Sequence, residues 1–265
     1  MSDQAKISSV GKRHALVTGA SRGIGYAVAR QLLVQGARVT LMGRGEAALE
    51  QAQASLAALG EVDVVSGDVA QQHDVQHAFA AARARFGPID ILINNAGQAV
   101  SQRFDRLDEA VWQQMLAVNL TGTFHCMQAA LPDMLAQRWG RIVNVASTAG
   151  LTGYAYVSAY CAAKHGVVGL TRAVALEVGQ KGVTVNAVCP GYTETDLVQE
   201  AIANIVKKTG VTPDQARDRL AQRNPQGRLV QPAEVANAVM WLCQPGAAAV
   251  NGQSIPVDGG EVMAG

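Results

Sequence analysis

Aromatic side chains are scarce in this 265-residue sequence, at 5% of all residues, and neither sign of charge is in excess, since 22 Lys and Arg face 21 Asp and Glu. Few aromatics among 49% hydrophobic residues predict a core of aliphatic layers. The interspersed charges offer no basic surface for nucleic acid or for an anionic membrane. We therefore expect a globular protein whose partner is a small molecule, with no nucleic acid and no membrane.

Cysteine is also rare and is not clustered. Cys126, Cys161, Cys189 and Cys243 lie far apart, form no CxxC pair and have apolar neighbours in the sequence, which predicts reduced residues inside the core. Only Cys126 has a histidine beside it, His125, whereas a metal site requires several such ligands together. We expect no metal site.

Long hydrophobic runs are missing. No segment approaches the roughly 18 consecutive apolar residues of a membrane-spanning helix. The first 14 residues, MSDQAKISSVGKRH, contain no apolar stretch typical of a signal sequence. The expected location is the cytoplasm.

Short β-rich segments alternate with longer helical ones along the whole chain. Nearly continuous apolar strands such as 141–146 and 183–188 are typical of a parallel sheet covered by helices on both faces. No repeat or Pro/Gly/Ser-rich linker divides the sequence, so residues 1–265 are predicted to form a single α/β domain with a doubly wound parallel sheet of the Rossmann type. The predicted strands lie within residues 14–19, 37–43, 62–68, 89–97, 140–147, 182–191 and 252–260.

One segment departs from this simple alternation. Residues 192–231 are too long for a plain crossover and are rich in helix-forming residues. Inserted segments of this kind often cover active sites. We predict a pair of helices that forms a lid over the site.

A glycine-rich turn follows the first strand. Residues 18–25, TGASRGIG, contain Gly19, Gly23 and Gly25 and lead directly into a helical pattern. Glycines let backbone N–H groups approach a pyrophosphate, and the start of the helix offers its positive end to that anion. A lone glycine turn can be purely structural, but a position between the first strand and a helix favours dinucleotide binding. The predicted contacts in the same turn also include Ser21, Arg22 and Ile24.

The end of the second strand indicates which dinucleotide binds. That position commonly carries a carboxylate that bonds the adenosine ribose, but here Gly43 is followed by Arg44. A guanidinium binds a 2′-phosphate that a carboxylate would repel, and Arg22 could approach the same group. The sequence therefore favours NADP over NAD, unless both arginines are merely solvated surface charges.

Two more strand ends carry polar residues. Asp68 ends the third strand and is predicted to accept a hydrogen bond from the adenine amino group, although capping of the next helix would explain it as well. Residues 94–97, NNAG, end the fourth strand, and ligands of open α/β sheets bind at the carboxyl ends of strands. Asn94 could equally form a structural bridge. The predicted cofactor contacts of these two strand ends also include Val69, Asn95, Ala96 and Gly97.

A tyrosine and a lysine lie four residues apart in a helical segment. Positions i and i+4 differ by about 40° of rotation, so Tyr160 and Lys164 project from one face. A free tyrosine titrates about three pH units above neutrality, which corresponds to roughly 4 kcal/mol against the phenolate, and a nearby ammonium offsets part of that. Such a phenol can exchange a proton with a carbonyl or alcohol oxygen, while the lysine can hold the cofactor's ribose.

Two further residues distinguish this pair from an ordinary surface pair. Ser147 ends a strand thirteen residues before Tyr160, and the intervening loop can bring both hydroxyls to one carbonyl oxygen. Asn119, in the helical stretch before that strand, could bond water or a main-chain group and link Lys164 to solvent. A lone asparagine at this position would predict nothing by itself.

From Lys12 to Gly260 the order of these motifs resembles the classical short-chain dehydrogenase/reductase family. The resemblance implies that Tyr160 is the acid/base and that Ser147 orients the substrate oxygen. It implies that Lys164 lowers the pKa of that tyrosine and binds ribose, and that Asn119 anchors a relay water.

The resemblance carries further expectations for the cofactor and the architecture. It implies a seven-stranded parallel sheet and a homotetramer. The PG motif of the family corresponds to Pro190 and Gly191, and the nicotinamide carboxamide would be contacted by Thr193 and Thr195.

Within the family, residues 160–177, 184–195 and 223–236 look most like 3-oxoacyl thioester reductases and aromatic polyketide ketoreductases. Polyketide ketoreductases often have Pro-Gly-Gly after NNAG, whereas residues 98–101 here are QAVS, so a smaller 3-oxoacyl-CoA or a cyclic ketone is expected. Basic residues of the lid could meet the phosphates of CoA or of an acyl carrier protein, or they form a solvated helix face: Lys207, Lys208, Arg217, Arg219 and Arg223.

Three functions remain open at this point. The leading hypothesis is NADPH-dependent reduction of a ketone to a secondary alcohol, with Tyr160 as proton donor. The second is oxidation of a 3-hydroxyacyl-CoA or a cyclic alcohol by NAD. The third is a nucleotide-sensing binding protein without turnover, against which the intact group of four catalytic residue types argues.

Overall fold

Seven parallel strands form the central sheet of the computed structural model, which describes residues 10–263. Residues 1–9 and 264–265 of the predicted domain, and with them most of the N-terminal stretch 1–14, lie outside the described residues. The strands are β1 (His14–Thr18), β2 (Arg38–Gly43), β3 (Val62–Ser66), β4 (Ile91–Asn94), β5 (Gly140–Val145), β6 (Val183–Pro190) and β7 (Ser254–Val257). Their order in the sheet is β3-β2-β1-β4-β5-β6-β7, which confirms the predicted doubly wound sheet.

Helices cover both faces of this sheet. They are α1 (Gly23–Val34), α2 (Glu46–Leu56), α3 (Gln72–Phe86), α4 (Glu109–Leu116), α5 (Gly122–Gln137), α6 (Ser158–Val178), α7 (Asp196–Thr209), α8 (Pro213–Ala221) and α9 (Pro232–Cys243). One apolar layer contains side chains of α1, α2 and α9, and the other contains side chains of α3, α5 and α6. Aliphatic residues dominate both layers, and Phe79 is the largest fully buried side chain.

Strands β2 and β3 are added on one side of β1, and β4 then begins the other half of the sheet on the opposite side of β1. Strands β1 and β4 are neighbours, with Ala15 paired to Ile91 and Val17 to Ile93, although β2 and β3 lie between them in the sequence. The loops that leave their carboxyl ends diverge to opposite faces and leave a crevice at this edge. The glycine turn after β1 and the NNAG segment of β4 meet at that crevice.

Residues 192–231 contain the predicted helix pair, α7 and α8. The two helices share a small apolar cluster of their own, with Val198 and Ile202 on α7 and Leu220 on α8. Thr212 and Gln215 form a capping box at the start of α8. The helical content of this segment is confirmed, while its role as a lid stays a prediction.

Three of the four cysteines are buried, as predicted for core residues, whereas Cys161 is only half-buried. All four are free thiols. Among the helices of residues 10–263, none is long and apolar enough to cross a membrane.

The turn between α6 and β6 depends on a glycine. Gly182 has φ +79°, and a Cβ atom there would overlap the carbonyl group of Arg138. Gly210, at the end of α7, has a similar φ of +70° but no atom within 4 Å of its Cβ position. Both glycines therefore have a positive φ that disfavours other residues, but only at Gly182 would a side chain also overlap a neighbouring group.

We expect Gly182→Ala to lower the free energy of unfolding by about 3 kcal/mol, because conformational strain and overlap add. Gly210→Ala, the matched control, should lower it by only about 1 kcal/mol, from the positive φ alone. Urea unfolding followed by tryptophan fluorescence measures both values. Equal losses in the two variants would contradict the steric argument.

Candidate active site

The glycine turn after β1 leaves the start of α1 open to an anion. Gly19 and Gly23 have φ +62° and +58°, a region that side chains other than glycine rarely adopt. At Gly25 a Cβ atom would overlap the carbonyl oxygen of Gly19. Among the described residues, no side chain caps the N-terminus of α1 and its first turn has no acidic residue. Its free N–H groups therefore suit a pyrophosphate.

Hydrogen bonds join the ends of β1 and β4 and thus assemble the two cofactor motifs. The Thr18 hydroxyl accepts the backbone N–H groups of Asn95 and Ala96, both at 3.0 Å. The Asn95 side chain donates to the carbonyl oxygens of Thr18 and Gly19, at 3.1 and 3.0 Å. Ser21 and Ile24 lie within the turn, and Ile24 packs partly against the core.

Two arginines lie where a 2′-phosphate was predicted to bind, but one already has a protein partner. Arg44 is exposed directly after β2. Arg22 occupies the N-cap position of α1, and its guanidinium lies 2.8 Å from the carboxylate of Asp196, the first residue of α7. Both members of this ion pair are more than half exposed. No motif in the sequence predicts this contact.

The predicted adenine contact, Asp68, does not cap the next helix. Gln71 holds the N-cap position of α3, so the capping explanation is wrong. The Asp68 carboxylate instead accepts the backbone N–H of Ala70 at 3.0 Å. Val69 is buried, and its side chain fills the space above Gly122, where a Cβ would lie 2.7 Å from Val69 Cγ2.

Asn94 belongs to a buried structural bridge, one of the two alternatives left open by the sequence. Its side-chain NH₂ donates to Asn144 of β5 at 2.8 Å, and Asn144 donates to the Thr171 hydroxyl of α6 at 2.9 Å. This row of polar groups joins β4, β5 and α6 beneath the site.

Ser147, Tyr160 and Lys164 lie around the carboxyl end of β5. Ser147 opens a short 3₁₀ turn, and its hydroxyl accepts the N–H of Ala149 at 3.1 Å. Lys164 of α6 is 4% exposed, and its Nζ donates to the carbonyl oxygen of Val145 at 2.8 Å. The same Nζ lies 5.6 Å from the centre of the Tyr160 ring. Tyrosine and lysine are therefore neighbours on one helix face, as the spacing predicts.

Asn119 is fixed by main-chain contacts rather than by a side chain. It lies in a π-helical turn, Ala117–Thr121, of the kind that often marks functional sites. Its Oδ1 accepts the N–H of Gln98 at 3.1 Å, and its Nδ2 donates to the carbonyl oxygens of Gln98 and Met115 at 2.9 and 3.0 Å. A Cβ at Gly97 would lie 2.8 Å from Asn119 Oδ1 and 3.7 Å from Lys164 Nζ. Gly97 therefore lies between the Asn119 side chain and the Lys164 ammonium.

Burial controls the pKa values of the two central groups. It raises the pKa of Tyr160 to about 12, an effect that the Ser147 hydroxyl opposes, and it lowers the pKa of Lys164 to about 8. The pKa of Tyr160 is therefore raised by burial, contrary to the lowering by Lys164 that the family resemblance implies.

The segment after β6 faces the glycine turn. Pro190 ends β6, and the N–H of Gly191 donates to Val257 of β7 at 3.1 Å. A Cβ at Gly23 would lie 3.3 Å from Thr195 Cγ2, so Thr195 contacts the turn directly. The Thr195 hydroxyl donates to the carbonyl oxygen of Thr193 at 3.1 Å, and the Thr193 hydroxyl donates to that of Gly191 at 3.0 Å.

Several lid cations have protein partners, which was not predicted. Arg217 forms an ion pair with Glu194, Lys208 donates to the carbonyl oxygen of Ser101 at 3.3 Å, and Arg223 lies beside Glu261. Such contacts between distant segments have no signal in the sequence. Glu261 and Asp196 were not identified from the sequence for the same reason.

This geometry is that of a dinucleotide-dependent oxidoreductase with a tyrosine and a lysine at the carboxyl edge of a doubly wound sheet. Residues 13–205 match the family model described as short chain dehydrogenase, and the chain belongs to that family.

Relatives and solved structures agree with this assignment. The chain is 40% identical over 250 residues to a D-beta-hydroxybutyrate dehydrogenase of Cupriavidus necator, covering 94% of this chain and 97% of the relative. It is 38% identical over 249 residues to a 3-oxoacyl-(acyl-carrier-protein) reductase of Vibrio cholerae, covering 94% and 97%. A crystal structure of a variant actinorhodin polyketide ketoreductase with NADPH superposes with a TM-score of 0.92 at 41% identity, covering 94% of this chain and 97% of the other.

Lys164→Met should increase the stability of the cofactor-free protein by about 1–2 kcal/mol at about pH 7, because it removes a buried charge at the loss of one hydrogen bond. The folded pKa of Lys164, about 8, lies below its ordinary value of 10.5. The charged lysine therefore lowers the free energy of unfolding by its full amount below about pH 8. This loss becomes smaller as the pH rises from about 8 and disappears above about 10.5. The advantage of the variant should shrink over that interval.

Urea unfolding at about pH 7 and about pH 9.5 measures this difference. Lys181→Met, at an exposed lysine of the turn before β6, is the matched control and should change stability little at either pH. A Lys164→Met protein that is less stable than the native one at about pH 7 would refute the cost of the buried charge.

Proposed function

We propose that this protein catalyses the NADPH-dependent reduction of a ketone, a 3-oxoacyl thioester or a cyclic ketone, to a secondary alcohol. The observation that carries the proposal is the arrangement around β5, where the Ser147 hydroxyl, the Tyr160 phenol and the buried Lys164 ammonium lie beside the crevice. Related proteins named reductases of 3-oxoacyl groups and of polyketides support the direction.

The residues present fit a dinucleotide. The glycine turn has no room for side chains at Gly19 and Gly25, which leaves the backbone N–H groups at the start of α1 accessible to a pyrophosphate. The Asn95 side chain donates to two carbonyl groups of the turn and so fixes the turn to the end of β4. When bound, the nicotinamide supplies the hydride. Arg22 and Arg44 provide the positive charge for a 2′-phosphate, which favours NADP. The other proposed contacts are Gly19, Ser21, Gly23, Ile24, Gly25, Asp68, Val69, Asn95, Ala96, Gly97, Tyr160, Lys164, Pro190, Gly191, Thr193 and Thr195.

Side chains of the protein donate the proton and stabilise the negative charge that develops on the substrate oxygen. Tyr160 keeps its proton at neutral pH, because burial raises its pKa to about 12, and its Oη–H is the proton donor to the substrate oxygen. The Ser147 hydroxyl donates a hydrogen bond to the same oxygen, and both donors stabilise negative charge as it develops there. Lys164 is charged at pH 7 and places a positive charge beside Tyr160, which favours release of the proton.

Oxidation of a 3-hydroxyacyl-CoA or a cyclic alcohol by NAD is the alternative function. Two observations favour it: the 40% identity to a D-beta-hydroxybutyrate dehydrogenase, and the ion pair with Asp196 that already neutralises Arg22. A nucleotide-binding protein without turnover is the third possibility, but such a protein would have no need to keep a lysine charge buried beside a tyrosine.

The proposal extends to partners and location. Similarity to 3-oxoacyl-(acyl-carrier-protein) reductases supports a carrier-linked substrate, with CoA or a carrier protein as the acyl carrier. A homotetramer and the cytoplasm remain expectations taken from the family resemblance and from the sequence.

Tyr160→Phe should lower kcat for a short 3-oxoacyl-CoA or a cyclic ketone by about 10²–10⁴-fold, because it removes the proton donor and retains the ring. The Kd of NADPH, measured by fluorescence titration, should stay within about 2-fold of the native value. Tyr156→Phe is the matched control, since this tyrosine lies in the loop before α6 and is exposed. Full activity of Tyr160→Phe would exclude the proposed mechanism.

Arg44→Gln should reduce the preference for NADPH over NADH by about 10-fold in kcat/KM, equivalent to about 1.4 kcal/mol, because it removes a cation from the 2′-phosphate position. The values for NADH should change little. Arg30→Gln, at an exposed position on α1, is the control. A native enzyme that prefers NADH would support the oxidative alternative.

A further inference from the structure

A cluster of polar and aromatic side chains joins the turn after Ser147 to the end of the chain. We call Thr148, Tyr154, Tyr192, Arg223 and Glu261 the Glu261 cluster. The Tyr154 hydroxyl lies 2.7 Å from Thr148 Oγ1 and 2.8 Å from Glu261 Oε1. Tyr192 packs edge-on against Tyr154, with ring centres 6.2 Å apart. The guanidinium of Arg223 lies 4.4 Å from the centre of the Tyr154 ring.

The chemistry of these groups fixes the direction of the hydrogen bonds. A carboxylate oxygen can only accept, and a phenol has a single proton, so Tyr154 donates to Glu261 and Thr148 donates to Tyr154. Burial and the Glu261 carboxylate raise the pKa of Tyr154, which therefore keeps this proton. The two hydrogen bonds therefore form a chain that points in one direction, from the Thr148 hydroxyl through the Tyr154 hydroxyl to the Glu261 carboxylate.

Glu261 is held firmly at the end of this chain. The Asp258 carboxylate accepts the N–H groups of Gly260 and Val262, at 2.9 and 2.8 Å, and so closes the turn that carries Glu261. Gly259 packs directly on Asn224, where a Cβ would overlap the asparagine side chain. The turn is thereby fixed to the segment that follows α8.

The carboxylate of Glu261 is in an unfavourable environment. Its side chain is only 10% exposed, and the Arg223 Nε lies 3.9 Å from Oε1, at the limit of an ion pair. Among the described residues, Oε2 is buried and has no hydrogen-bond partner. An incompletely paired buried carboxylate costs free energy, which indicates a role other than stability.

The other end of the chain is the turn that carries Ser147. Thr148 is 4% exposed and begins this turn. The N–H of Ala149 donates a hydrogen bond to the Ser147 hydroxyl at 3.1 Å, and the N–H of Gly150 donates one to the Ser147 carbonyl oxygen at 2.9 Å. A side chain that holds Thr148 therefore also restricts the position of the Ser147 hydroxyl.

We propose that Glu261 is a positioning residue, which acts through Tyr154 and Thr148 to hold the Ser147 hydroxyl in place and ties that turn to the end of the lid through Arg223. The significance of this role for catalysis rests on the proposed ketone reduction. The contact chain itself does not depend on the substrate.

The test compares three variants in the full chain. Tyr154→Phe removes the hydroxyl and keeps the ring packed on Tyr192 and Arg223. Glu261→Ala removes the acceptor, whereas Glu261→Gln keeps an acceptor oxygen for Tyr154. Tyr26→Phe is the matched control, because it loses a phenol hydrogen bond of 2.9 Å to Ser55 between α1 and α2.

We expect Tyr154→Phe and Glu261→Ala to lower kcat about 10-fold, the effect of losing about 1.4 kcal/mol, with the Kd of NADPH within about 2-fold of native. Glu261→Gln should recover most of kcat, and Tyr26→Phe should match the native enzyme. Hydrogen exchange followed by mass spectrometry should show about 10-fold faster exchange at Ala149 and Gly150 in the first two variants only.

The exchange measurement separates the two proposals. If the native protein reduces no ketone in the assay, the proposed function fails, but faster exchange in Tyr154→Phe and Glu261→Ala still supports the positioning role. Unchanged exchange in these variants overturns that role, whatever happens to turnover. Glu261→Gln with the full defect of Glu261→Ala would also overturn it, since the acceptor oxygen would then be irrelevant.

Discussion

The buried ammonium of Lys164 is the constraint on which the rest of the site depends. A charge that is 4% exposed requires a partner, and the partner is the carbonyl oxygen of Val145, at the end of β5. Glycines lie next to this lysine: a Cβ at Gly97 would be 3.7 Å from the Lys164 ammonium, and a Cβ at Gly150 would be 2.6 Å from the Lys164 backbone carbonyl oxygen. The strand end and the nearby glycines thus form the surroundings of one buried cation, and Asn119 borders them through Gly97.

The sheet could be predicted because its signal is local and repeated. Each strand is a short apolar run between polar or glycine residues, and such runs have few alternatives to a buried parallel strand. The i, i+4 spacing likewise fixed Tyr160 and Lys164 on one helix face, as the structure confirms. Asn94 remained ambiguous because a polar strand end suits a ligand and a structural bridge equally well; its partner, Asn144, decides the matter.

Side-chain partners could not be predicted, because they depend on where separate segments meet. Arg22 pairs with Asp196, 174 positions away in the sequence, and Tyr154 with Glu261, 107 positions away. The pKa of Tyr160 shows the same limit. Spacing alone suggests that the neighbouring lysine lowers it, whereas the folded protein buries the phenol and raises it. Burial is a property of the whole fold, and a four-residue interval does not contain it.

Polar contacts join residues 192–231, the predicted lid, to other parts of the fold along the length of the segment. Asp196 pairs with Arg22 at the start of α7, Lys208 contacts Ser101 near its end, and Arg223 lies beside Glu261 after α8. The exposed first pair is worth about 1 kcal/mol or less, so a bound phosphate could replace Asp196 at little cost. At the other end, the Glu261 side chain is only 10% exposed, although its distance to Arg223 is longer, at 3.9 Å.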